Sequence, residues 1–108
     1  MTFEKSFIYE KIKIIIEYLE KAKDLFKFSD KDILSDYTKL HTLERFLQLI
    51  VDAAIDINNH IIREKDLTDT ENMQGTFYVL ADNGILSGDF ATKIAPVVGI
   101  RNRIVHGY

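Results

Sequence analysis

The stretch from about Ser35 to Arg63 constrains the fold more than any other part of the sequence. Roughly 28 residues pass there without a glycine or a proline. Leu43, Leu47, Ile50, Ala54, Ile57 and Ile61 recur at helical spacing and make one apolar face. Leu49, Ile55 and Ile62 add apolar positions well away from that face. A helix apolar over most of its circumference sits at the centre of a bundle, or is covered again in an oligomer. Other helices must therefore be found to surround it.

The flanking sequence supplies them. From Phe3 to Phe28, Ile8, Ile12, Ile15, Ile16, Leu19, Ala22 and Phe26 repeat at helical spacing, with Glu17 four residues before Lys21 on the charged side. The polar run Ser29-Asp30-Lys31-Asp32 ends that helix. After Arg63, Thr68 and Glu71 have capping-box spacing and introduce a third helix through Phe77, Leu80 and Ala81. Asp82-Asn83-Gly84 closes it, with Gly84 suited to a left-handed C-terminal position. Ser87-Gly88-Asp89 can start a fourth helix, which Pro96 is expected to kink or split. No strand-like alternation, internal repeat or low-complexity tract is present. The expectation is an all-α, up-and-down bundle of about four helices, forming a single domain over residues 1–108.

Composition narrows the function classes. The chain has 108 residues, 46% of them hydrophobic and 29% charged, too apolar for disorder and too short for a second core. It has no cysteine, so neither a disulfide framework nor a zinc–thiolate site is expected. No apolar run is long enough to span a membrane, and the charged N-terminus does not read as a secretory signal. A reducing cytoplasm is the default compartment. The net charge of −3 argues against coating nucleic acid by bulk electrostatics. Yet residues 90–108 hold Lys93, Arg101 and Arg103 and no acid, whereas Glu64 to Asp89 holds six acids against Lys65. A locally basic end on an acidic chain suits a confined anion site; it equally suits cations placed at a helix C-terminus.

The last eight residues, Arg101-Asn102-Arg103-Ile104-Val105-His106-Gly107-Tyr108, carry the chemistry. At about 100° per residue, Arg101 falls within the apolar face of Phe90, Ile94, Val97, Val98, Ile104 and Val105. A guanidinium there needs a partner, because an unpaired buried charge is costly. Asn102 and His106 lie four residues apart on the flank, with Ala95 and Gly99 leaving a notch beneath them. Arginine binds phosphate oxygens through a planar fork, and imidazole moves protons near neutral pH. Such a cluster suits a phosphate ester. Internal transesterification of RNA needs one proton removed, one delivered and charge stabilised, while one chain offers one histidine here. A two-fold dimer would supply both an acid and a base.

Arg-Asn-Arg-Ile-Val-His-Gly-Tyr resembles the Arg-x4-His-x-Tyr signature of the HepT-like toxins, helical ribonucleases of the HEPN superfamily. Leu43–Gln48 and Ala53–Ile61 are similar to that family's long second helix, and Val98–Asn102 to its run into the motif. The resemblance implies a metal-independent endoribonuclease that acts as a homodimer, the toxin of a type VII toxin–antitoxin system. It implies catalytic roles for Arg101 and His106, with Asn102 a polar helper and no cofactor. It implies RNA as substrate and an MntA-like nucleotidyltransferase as antitoxin, attaching AMP to Tyr108. That adduct would add bulk and negative charge beside the site. The family pattern continues past the tyrosine into another helical segment, so the final helix is expected to be cut short.

Asp52, Asp56 and His60 follow at four-residue steps, but such a row drifts around a helix and converges poorly on a metal. A better use is support, with Asp52 or Asp56 pairing Arg101. His41, Glu44 and Arg45 read as a surface cluster. The alternative function is a non-catalytic module that binds a nucleotide or a nucleotidyltransferase partner in the same basic notch. A purely structural dimerisation domain is the third reading.

Overall fold

The computed structural model describes residues 5–70 and 72–107. Five helices cover them: α1 (Lys5–Leu25), α2 (Asp30–Ser35), α3 (Tyr37–Glu64), α4 (Met73–Asp82) and α5 (Gly88–His106). No strand occurs among the described residues. The fold is all-α, as the periodicities predict, with one short helix more than expected. That extra helix, α2, grows out of the polar run that ends α1. The Ser29 side chain accepts a hydrogen bond from the Asp32 amide and so caps a new helix. Asp36 caps α3 in turn, accepting from the Lys39 amide at 3.1 Å. The Lys39 ammonium also donates to Asp36 at 2.8 Å, and this bond above all holds the Asp36 carboxyl below the usual carboxylate range.

Helix α3 is the axis of the molecule and packs against each of the other four helices. It buries Val51, Ala53, Ile55, Ile61 and Ile62. Much of its apolar circumference is therefore used within the chain. One core joins Val51 and Ile55 to Phe77 of α4 and to Ala91 and Val98 of α5. A second core joins Ile61 and Ile62 to Leu80. Full burial of one such side chain contributes about 1.5–3 kcal/mol relative to exposure.

The structure corrects the register of α1. Ile12, Ile16 and Leu19 are exposed, while Ile8, Lys11, Ile15, Tyr18 and Ala22 turn inward. Isoleucines are spread around more than half of the circumference of this helix, and α3 covers only one side of it. Helix α4 starts later than its capping box predicts. Asn72 is the cap and accepts from the Gly75 amide. Glu71 lies outside the described residues. Gly84 takes the left-handed conformation, with φ of +74°, and lets the Gly84 and Ile85 amides reach the carbonyls of Ala81 and Leu80. The end of α3 uses the same geometry with Asp66 in the left-handed position, at φ of +52°.

Pro96 does not split α5. It removes one amide donor, but its ring faces solvent, and Ala91 and Val98 anchor the helix on either side of it.

Candidate active site

Helix α5 presents Ala91, Ile94 and Val98 to the core, and Arg101 continues that line at helical spacing. The Arg101 side chain is only 12% exposed. Its Nε donates to Asp52 Oδ1 of α3 at 2.7 Å, and its Nη1 donates to Asn102 Oδ1 at 3.0 Å. The thioether of Met73, at the start of α4, lies 3.8 Å from Nη1. Leaving such a charge unpaired would cost several kcal/mol, and Asp52 removes most of that cost. Nη2 makes no hydrogen bond with the described residues. One amino group of a fixed, permanently charged fork thus remains available to an anion.

His106 is the last residue of α5 and is exposed. It stands four residues beyond Asn102, on the same flank of the helix. The bond from Arg101 to Asn102 draws the guanidinium toward that flank. Hydrogen bonds therefore unite Arg101, Asn102 and Asp52, and His106 lies one turn further on without a bond to them. Arg103 is exposed. Tyr108, the residue expected to carry AMP, lies outside the described residues.

Asp56 is not part of this cluster. It accepts from Lys11 of α1 at 2.9 Å, one turn further along α3. His60 is buried and stacks on Phe7, with ring centres 4.7 Å apart. The Asp52, Asp56 and His60 row therefore fans out to three different neighbours. No group of three potential metal ligands occurs among the described residues.

Two contributors were invisible in the sequence. Met73 walls the guanidinium, and Gln74 occupies the notch expected beneath Asn102 and His106. Gln74 Nε2 donates to the Ala95 carbonyl at 3.0 Å. A Cβ on Gly99 would lie 3.4 Å from the same nitrogen. Both residues come from α4, more than 20 positions away in the chain, and no local pattern marks them.

Beside the motif, Ile100 and Ile104 join Phe26, Leu40, Leu43 and Leu47 around an apolar groove of about 340 Å³. Glu44 also lines this groove and is buried rather than a surface group. His41 Nδ1 lies 2.7 Å from its carboxylate.

The family model described as "Ribonuclease HepT-like" matches residues 15–108. The chain belongs to the HepT-like ribonuclease family. This HepT-like chain is 37% identical over 105 residues to the tRNA nuclease HepT of Aphanizomenon flos-aquae, covering 97% of itself and 71% of that protein. It is 33% identical over 73 residues to the mRNA nuclease HepT of Shewanella oneidensis, covering 68% of itself and 55% of that protein. Among solved structures, it matches a toxin–antitoxin structure with AMP-PNP at TM-score 0.85 and 27% identity, over 94% of this chain and 76% of that one. It also matches the tri-AMPylated Shewanella oneidensis HEPN toxin in complex with MNT antitoxin, at TM-score 0.87 and 27% identity, with the same coverage.

Proposed function

We propose that this chain is the toxin of a toxin–antitoxin pair and an endoribonuclease that cleaves RNA without a metal ion. The observation that carries this reading is a guanidinium fixed by Asp52 and Asn102, with one amino group uncommitted and an exposed imidazole one turn away. Arg101 would hold the scissile phosphate and offset the charge that builds on it. The Asn102 amide, whose oxygen is already engaged, keeps its NH₂ group for a second phosphate oxygen. His106 would take the proton from the 2′-hydroxyl or deliver one to the leaving 5′-oxygen. The names of the nuclease relatives support the reaction class.

A single imidazole serves one of those two transfers at a time, so the reading includes a homodimer that brings two copies of α5 together. Ile100 and Val105 are exposed on α5, beside an open apolar groove that α5 shares with Leu40, Leu43 and Leu47 of α3. The solved neighbours include a toxin carrying AMP in complex with its antitoxin. By that likeness a nucleotidyltransferase partner would silence this chain by adding AMP to Tyr108. The adenylate phosphate would compete for the Arg101 fork. Cellular RNA as substrate makes the cytoplasm the place of action, and no helix among the described residues is long and apolar enough to cross a membrane.

The test is RNA cleavage in the presence of EDTA. The wild type should cut, and folded His106→Ala should lose nearly all activity. RNA binding without cleavage by the wild type would instead favour a non-catalytic module. Co-expression with the nucleotidyltransferase should add adenylate mass that disappears in Tyr108→Phe.

A further inference from the structure

Met73, which touches the guanidinium, also lines a cavity of about 240 Å³. Ile55 and Asn59 of α3 form one wall, and Thr70, Asn72, Met73 and Thr76 form the other. Asp52, Ile55 and Asn59 stand at positions i, i+3 and i+7 of α3, so one stripe of that helix runs from the Arg101 partner into the cavity. The stripe spans about 10 Å at 1.5 Å per residue. That is the reach from a phosphate group to the edge of its own or the neighbouring base.

The lining is that of a small recognition pocket. Ile55 and Met73 are apolar surfaces for a flat ring. The half-buried amide of Asn59 makes no hydrogen bond with the described residues, so its donor and its acceptor are both open. Asn72 spends its oxygen on capping Gly75 and retains its NH₂ group. Thr76 is saturated: its hydroxyl accepts from Asn58 at 3.1 Å and donates to the Met73 carbonyl at 2.7 Å. Thr76 therefore shapes the floor rather than reading a ligand. The volume falls below the roughly 300–1,000 Å³ of pockets for drug-sized ligands, which suits one ring system.

Gly75 keeps this cavity in form. A Cβ there would lie 2.7 Å from Thr70 Oγ1 and 3.0 Å from Asn72 Oδ1. Thr70 and Asn72 can lie this close to the first turn of α4 because that atom is missing.

We infer that this cavity receives the nucleobase next to the phosphate held at Arg101, that Asn59 determines specificity there, and that adenine is the preferred base. The inference rests on the RNA-cleaving reading above. A side-chain amide offers a donor and an acceptor side by side, the pair that reads the amino group and N7 of adenine; cytosine, whose amino group also adjoins a ring nitrogen, is the competitor that a comparison of 5′-AMP with 5′-CMP separates. Single-stranded RNA exposes those edges when a base is turned out of its stack.

The experiment uses RNA oligonucleotides that differ only at the nucleotides flanking the cut. The wild type should favour adenine at one flanking position by about five- to a hundredfold in kcat/KM, the discrimination of one bidentate amide–base pair. Asn59→Ala should bring that ratio to within about twofold. Gly75→Ala, which pushes Thr70 and Asn72 toward the cavity by a separate route, should lower it as well. A preference that survives in Asn59→Ala, or a wild type indifferent to the base, overturns the inference while leaving the nuclease reading intact. If the wild type cuts no RNA, the nuclease reading fails, and an NMR titration with 5′-AMP and 5′-CMP judges the pocket alone. Tighter binding of AMP, with shifts at the Asn59 side chain and Thr70 that vanish in Asn59→Ala, supports it. Equal binding of the two nucleotides, or shifts confined to α5, refutes it.

Discussion

Two carboxylates one turn apart on α3 meet cations from different helices. Asp52 takes Arg101 of α5, and Asp56 takes Lys11 of α1. The distances are similar, 2.7 and 2.9 Å. The surroundings are not. The Arg101 side chain is 12% exposed and is held again by Asn102, whereas Lys11 and Asp56 are 26% and 48% exposed. A lysine ammonium is a mobile point charge, and a guanidinium is a planar fork that fixes orientation as well as sign. The Lys11–Asp56 pair staples two helices. The Arg101–Asp52 pair aims a side chain.

Deleting each carboxylate in turn exposes the contrast most sharply. Asp52→Ala strands a nearly buried guanidinium and should cost roughly 2–3 kcal/mol in urea unfolding, less than a fully buried pair because Asp52 is itself a third exposed. Asp56→Ala should cost at most about 1 kcal/mol. Cleavage should fall by at least about tenfold only in the first variant, because only there is a phosphate ligand misplaced. Equal effects would erase the distinction. Asn102→Ala comes next, with about 1 kcal/mol of stability lost along with one guanidinium bond, and a fall in kcat larger than any change in KM. Lys11→Met should change stability by about 0.5 kcal/mol or less and leave cleavage unaltered, since its long stem already covers apolar surface.

The smallest effect is expected at the Asp36–Lys39 pair. The folded Asp36 carboxyl titrates below its ordinary 3.8, so its contribution is present above that value and is lost as pH falls through the folded one. The protection factor of the Lys39 amide, the exchange rate of an unprotected amide divided by its own at the same pH, should therefore decrease below about pH 4. Asn caps a helix as well as Asp does, so Asp36→Asn should keep the cap and remove this pH dependence.

The same contrast explains what the sequence could disclose. Helical periodicity marks α1, α3 and α5 because each is long enough to show its period, and the buried position of Arg101 follows from that period alone. Family membership was legible in the Arg101–Tyr108 motif. The choice between Asp52 and Asp56 was not, since four-residue spacing puts both near one face and only the crossing of α1 and α5 separates them. The short helix α2 has too few residues to show a period. In α1, isoleucine at 12, 14, 15 and 16 leaves the inward direction open until α3 is in place. Met73 and Gln74 reach α5 through tertiary packing, which no local spacing reports.

Those last two residues are consecutive, and they touch α5 at separate points: Met73 at the Arg101 fork, Gln74 at the carbonyl that precedes Pro96. The first turn of α4 thus works as a jig that sets both the height and the tilt of the arm bearing the motif. An inserted or deleted residue between Asp66 and Asn72 would be transmitted to the phosphate-binding group, although that linker holds none of the residues assigned to the chemistry. Sequence drift in this connection is a route by which relatives sharing one motif could come to cut at different rates.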